Sequence, residues 1–137
     1  MENKKIAIDC DGVLSNFNSG IIKFINETEG TNFEITDIDH WHWYRKSKKI
    51  QVKAMNSGLV NKLGDNWFNI KHKEFCSEHG LASLPIIPGS KEFLNELAKA
   101  YEIFVITDRP ILDKNPYLTQ EDTILWLSYN FGSSFNL

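Results

Sequence analysis

The stretch Lys4-Lys5-Ile6-Ala7-Ile8-Asp9-Cys10-Asp11-Gly12-Val13-Leu14-Ser15-Asn16-Phe17 decides how this chain is read. Ile6, Ala7 and Ile8 form a short apolar, partly β-branched run of the kind that makes a buried parallel strand. It stops at Asp9-Cys10-Asp11-Gly12, which puts two carboxylates at i and i+2 where the strand ends. Side chains alternate along an extended chain, so the spacing predicts Asp9 and Asp11 on one side, towards the crevice outside the carboxyl end of a sheet. Like charges held that close are costly unless a cation or a shared proton relieves them. Mg²⁺, which takes one or two carboxylates together with phosphate oxygens, suits the pair. Gly12 allows a sharp turn that brings backbone N–H groups to an anion.

Working outward, a second strand is legible much later. Tyr101-Glu102-Ile103-Phe104-Val105-Ile106 reads as a buried run ending at Thr107-Asp108-Arg109-Pro110. Asp, Gly and Pro are common turn residues, so either string alone is compatible with a plain turn. Two strands that both end in polar, phosphate-competent residues make the stronger pattern. Between them the periodicity is helical. Leu14, Phe17, Ile21, Phe24 and Ile25 recur at spacings of three and four as far as Gly30. Thr36-Asp37-Ile38-Asp39 carries a helix-start spacing, and helical patterns follow over 52–63 and 65–79, interrupted at Gly64 and Gly80. Ser90 is a candidate cap for a helix whose Phe93, Leu94, Leu97 and Ala98 face a core. A loop through Pro110 and Pro116 leads to a last helix, with Thr119 and Asp122 at cap spacing and Gly132 at its end.

The Asp9-Cys10-Asp11-Gly12-Val13-Leu14 string, read with Val105-Ile106-Thr107-Asp108-Arg109-Pro110, resembles the haloacid dehalogenase (HAD) superfamily of phosphohydrolases, within it the 5'(3')-deoxyribonucleotidase-like group. The resemblance implies an α/β, HAD-like Rossmannoid parallel sheet with an inserted helical cap: core residues 1–14 and 85–137, cap residues 15–84. It implies Asp9 as nucleophile through an aspartyl phosphate, Asp11 as general acid/base, and Mg²⁺ held by Asp9 and Asp11. Gly12, Thr107, Asp108 and Arg109 would meet the phosphate, and the cap aromatics Trp41, Trp43 and Tyr44 the base of a nucleoside or deoxynucleoside monophosphate. The family's downstream Lys and second acidic motif have no counterpart before Leu137; Lys114 lies ahead of the expected place. The sheet is therefore expected to be C-terminally short, with an edge that a second copy of the chain, as a homodimer, would cover.

Composition sets wider bounds. The 137 residues suffice for one sizeable core, with 42% hydrophobic and 24% charged residues. A net charge of −3 argues against a stable nucleic-acid complex. Cys10 and Cys76 do not make a disulfide framework, and Asp9 and Asp11 interrupt any secretory apolar run, which together predict a reducing, cytoplasmic setting and no membrane span. His72, Cys76 and His79 at i, i+4 and i+7 raise a zinc site, without a fourth ligand at convincing spacing. The basic run Arg45 to Lys49 reads as a solvated face. Two other functions stand beside the Mg²⁺-dependent phosphatase: a catalytically incomplete remnant that binds metal or phosphate, and a nucleic-acid or protein-binding module built on the aromatic and basic cap.

Overall fold

The computed structural model describes residues 4–110 and 117–132. Residues 1–3, the expected loop over 111–116 and the tail from 133 lie outside the described residues.

Strand β1 (Lys4–Asp9) pairs in parallel with β2 (Tyr101–Ile106), in the register Lys4 with Tyr101 through Asp9 with Ile106. Among the described residues they form an open two-stranded sheet in a mixed α/β chain. In-register partners share a face. Ile8, Ile103 and Val105 are buried on one face with Ile6 packed beside them, and Cys10 continues that row beyond the strand. Lys5, Ala7, Asp9 and Ile106 are exposed on the other.

Seven α-helices accompany the sheet among the described residues: α1 (Phe17–Glu29), α2 (Trp43–Lys46), α3 (Lys48–Asn56), α4 (Leu59–Leu63), α5 (Trp67–Ser77), α6 (Ser90–Ala98) and α7 (Leu118–Phe131). The first is fixed at both ends. Asn16 Oδ1 accepts the Ser19 N–H at 3.1 Å, and Gly30, at φ 67°, turns the chain out while its N–H donates to the Asn26 carbonyl. Gly20 on α1 lets the 84–85 crossing come close: a Cβ there would stand 2.5 Å from Leu84 Cδ2. The crossings at 14–16 and 85–87 lie side by side, joined by Asn16 N–H to Pro85 O (2.8 Å) and Ile87 N–H to Leu14 O (2.9 Å). Helix α7 ties to the same place through Trp126 Nε1–H and the Leu84 carbonyl, 2.7 Å. Buried side chains form one continuous cluster running through both parts of the chain.

Several local expectations are corrected. Thr36-Asp37 starts no α-helix. The segment Ile35–Asp37 is a single 3₁₀ turn whose Asp37 carboxylate accepts the Glu34 N–H and the Lys53 ammonium, and the helix begins at Trp43. Gly58, at φ 79°, adds a break between α3 and α4. The N-cap of α6 is Gly89, and Ser90 enters the helix. Asp122 caps nothing: it is buried and meets Nδ1 of His79 at 3.1 Å. Helix α5 ends at Ser77 and His79 sits at φ 60°, so the face expected to carry His72, Cys76 and His79 does not continue.

Candidate active site

The site is built where β1 ends. Cys10 N–H still donates to the Ile106 carbonyl (3.1 Å), and the chain then closes a tight loop. The Cys10 carbonyl gathers the N–H groups of Val13, Leu14 and Ser15, and Gly12 N–H donates to the Ser15 carbonyl at 2.9 Å. Gly12 stands at φ 82°, the left-handed region where glycine carries no steric cost, with open space beyond its Cα. Its N–H is committed inside the loop. The amide left over for an anion is that of Asp11, which has no acceptor among the described residues.

The two carboxylates differ in their surroundings. Asp9, paired with Ile106, lies exposed on the open face of the sheet, and its carboxylate makes no hydrogen bond among the described residues. Asp11, beyond the strand, lines a cavity beside Arg109. That guanidinium grips it with two bonds, Nε to Oδ2 at 3.0 Å and Nη2 to Oδ1 at 2.7 Å, while Ser15 Oγ donates to Oδ1 at 2.8 Å. Arg109 Nη1 donates to Thr123 Oγ1 on α7 at 2.8 Å. Nη2 also approaches Ser15 Oγ (3.4 Å) and Cys10 Sγ (3.6 Å). The Arg109 side chain is only 5% exposed, against 32% for Asp11. Burial works against the guanidinium's charge, but the bonds and charge of Asp11 more than offset it and raise its pKa above the ordinary value. Burial likewise pushes the Cys10 thiol up, with Arg109 opposing.

Thr107 follows β2 directly, one residue past the Asp9–Ile106 pair. Its hydroxyl is buried and has no hydrogen-bond partner among the described residues. An unsatisfied buried hydroxyl costs about 1–3 kcal/mol, so a fold that keeps one invites a ligand oxygen there. Asp108 is exposed at the rim and, with Arg109, lines a cavity of about 180 Å³.

A larger cavity of about 400 Å³ adjoins it, sharing Asp11, Phe17, His72 and Pro110 and walled by Trp41, Trp43 and Tyr44. The three aromatics differ in what they offer. Trp43 is buried in the core, its indole N–H on Asn18 Oδ1 at 3.2 Å and its ring edge-on to Phe68. Tyr44 stacks flat on Phe68, centroids 4.0 Å apart, so one of its faces is taken. Trp41 is 85% exposed and has an open face. His72, which the sequence reading did not place at this site, stands between the two cavities edge-on to Phe17 at 5.2 Å, and burial lowers its pKa to about 4 against the opposing charge of Asp11. A histidine at i+5 from Trp67 carries no sequence signal for this; only the fold of α5 over α1 brings it here.

The donors fit a divalent cation in part. Asp9 offers at the sheet end a carboxylate that has no hydrogen-bond partner among the described residues, while both Asp11 oxygens are engaged by Arg109 and Ser15. Mg²⁺ needs no more than one or two carboxylates when phosphate and water complete its shell, so Asp9 suffices as its anchor. Among the described residues no three His, Cys, Asp or Glu side chains converge as a metal-ligand group, and none of the helices is long and apolar enough to cross a membrane. No protein-family model matches this chain, and no curated protein matches it.

Proposed function

We propose that this chain is a phosphomonoester hydrolase of the haloacid dehalogenase type, acting on a nucleoside or deoxynucleoside monophosphate. The observation that carries the reading is the register of the two parallel strands: one ends at Asp9, the other runs from Ile106, its partner, straight into Thr107, and neither the Asp9 carboxylate nor the buried Thr107 hydroxyl has a hydrogen-bond partner among the described residues.

Phosphoryl transfer asks mainly for positioning and for neutralisation of the equatorial oxygens. The Thr107 hydroxyl and the Asp11 N–H supply neutral donors for those oxygens. Asp9 attacks phosphorus. A bond forms from its carboxylate oxygen as the ester P–O bond breaks, and Asp11, which enters the cycle carrying a proton taken from solvent, delivers that proton to the departing oxygen. Asp11 then takes a proton from water, which attacks the aspartyl phosphate, releases phosphate and restores Asp9. When bound at Asp9, Mg²⁺ supplies charge neutralisation for carboxylate and phosphate. The adjoining cavity takes the remainder of the substrate, with the open face of Trp41 available for stacking, an interaction of about 1–3 kcal/mol per base.

A second reading, a metal- or phosphate-binding protein without turnover, draws support from the Arg109 grip on Asp11, which ties up the proposed acid/base. Phosphate release from a panel of nucleoside monophosphates, with Mg²⁺ and with chelator, separates the two. The phosphatase reading expects metal-dependent release that disappears in Asp9→Asn. Folded wild-type protein that binds Mg²⁺ but releases nothing would establish the second.

A further inference from the structure

We propose that Arg109 is a positioning residue, fixing the Asp11 carboxylate for proton transfer through an anchor on Thr123, and is not a phosphate ligand. The proton role of Asp11 rests on the function proposed above; the anchoring geometry does not.

A guanidinium that binds phosphate must present free N–H groups to the site. Four of the five on Arg109 are directed at protein acceptors. Nε and Nη2 form a fork on the two Asp11 oxygens, Nη2 reaches on to Ser15 Oγ and Cys10 Sγ, and Nη1 donates to Thr123. The Thr123 hydroxyl has a defined polarity. Its own proton goes to the Thr119 carbonyl at 2.6 Å, so towards Arg109 it can only accept. The direction of the whole chain follows from that: Thr119 carbonyl, Thr123 hydroxyl, Arg109, Asp11. With two bonds the fork sets the plane of the Asp11 carboxylate as well as its position.

The same bonds choose the reacting oxygen. Each carboxylate oxygen has two in-plane acceptor sites. Oδ1 uses both, on Arg109 Nη2 and Ser15 Oγ, whereas Oδ2 uses one, on Arg109 Nε. Oδ2 is therefore the atom that exchanges a proton with the leaving oxygen. Thr123 is buried on α7 and lines neither cavity, so any effect it has on turnover must travel through Arg109.

The test compares Arg109→Lys, Arg109→Gln and Thr123→Val with wild type, in the full chain, on a nucleoside 5'-monophosphate and on p-nitrophenyl phosphate, with inorganic phosphate as inhibitor. An alkyl leaving oxygen needs protonation and a nitrophenolate does not, so the two substrates read the acid step separately. Because Asp11 also serves the shared hydrolysis of the aspartyl phosphate, the acid step is read in kcat/KM: in Arg109→Gln it should fall about 10- to 100-fold on the nucleotide and stay within about threefold on p-nitrophenyl phosphate. The phosphate inhibition constant should also hold within about threefold, because no phosphate contact is lost. Arg109→Lys should recover part of the loss, Thr123→Val should show a smaller one of the same pattern, and the Arg109→Gln/Thr123→Val double variant should be no worse than Arg109→Gln.

A rise of about tenfold in KM and in the phosphate constant with kcat kept would overturn the proposal and make Arg109 a phosphate ligand. Equal losses of kcat/KM on both substrates would reduce it to a structural residue. If wild-type protein turns over neither substrate, the assignment falls along with the proposed function. Hydrogen exchange of the Gly12–Ser15 amides, faster in Thr123→Val if the anchor holds, then shows whether the anchor survives without the chemistry.

Discussion

Removing Asp11 should destabilise the protein more than removing Arg109, although the two form one ion pair. The reason is their unequal burial: the Arg109 side chain is 5% exposed and that of Asp11 32%. Asp11→Ala strands a buried guanidinium with only the Thr123 and Ser15 hydroxyls and the Cys10 sulfur as acceptors. Breaking a buried pair from one side costs about 3–5 kcal/mol, and the surviving acceptors put this case near the low end, about 3 kcal/mol. Arg109→Met keeps the apolar volume and leaves Asp11 with its Ser15 bond and access to water, which costs about 1 kcal/mol. The double variant should resemble Arg109→Met alone, a coupling of about 3 kcal/mol. Urea denaturation followed by tryptophan fluorescence measures all three. At about 3 °C per kcal/mol for a chain of this size, the gap between the single variants is about 6 °C in Tm. Equal losses, or a larger loss in Arg109→Met, would refute the burial argument.

The remaining predictions concern groups whose state is set by burial. His72 has a folded pKa of about 4 against 6.5 when unfolded. Between those values the unfolded chain takes up the proton and the folded one does not, so stability is full above pH 6.5 and drains as pH falls towards 4, by about 3 kcal/mol. Urea melts across that range should flatten in His72→Gln, and an unchanged slope there would show that another group is responsible. Thr107→Val exchanges an unpartnered buried hydroxyl for a methyl group, so it should raise stability by up to about 1 kcal/mol while weakening inorganic phosphate binding, measured by calorimetry, about tenfold. Gly20→Ala should gain helix propensity of about 1 kcal/mol yet lose about 1–3 kcal/mol to the overlap with Leu84 Cδ2, a net destabilisation that a denaturation curve would show and that Leu84→Ala in the same chain should relieve.

The two parallel strands were legible because short β-branched runs ending in Asp and Thr carry a strong local signal, and Tyr101–Ile106 is found with the bounds read from its residues. Helix α1 was legible from its apolar spacing and Gly30. The cap-spacing signals at Thr36, Ser90 and Thr119 misled for a common reason. In none of the three is the hydroxyl aimed at the helix's own N–H groups: that of Thr36 goes to the Glu34 carboxylate and that of Ser90 to the Leu14 carbonyl, while the Thr119 hydroxyl has no partner among the described residues and Asp122 is taken by His79. At the site, the strand end at Asp9 and the turn at Gly12 were legible, but not the loop that gathers three N–H groups on the Cys10 carbonyl. Arg109 could be read from sequence as a polar residue near phosphate, but not as the partner of Asp11, because a contact between residues 98 positions apart has no local signature.

That contact changes the electrostatic account of the motif. Two neighbouring carboxylates pose a repulsion problem, which the sequence reading gave to a single cation shared between them. In the fold the problem is divided. Arg109 neutralises Asp11 beside the cavity with a bound, oriented charge, and Asp9, exposed at the strand end, has no ion pair among the described residues. A divalent ion arriving with a phosphate therefore has one anionic side chain to compensate. On the proposed mechanism the attack would fall to an open carboxylate and the proton transfer to one held in place by Arg109 and Ser15.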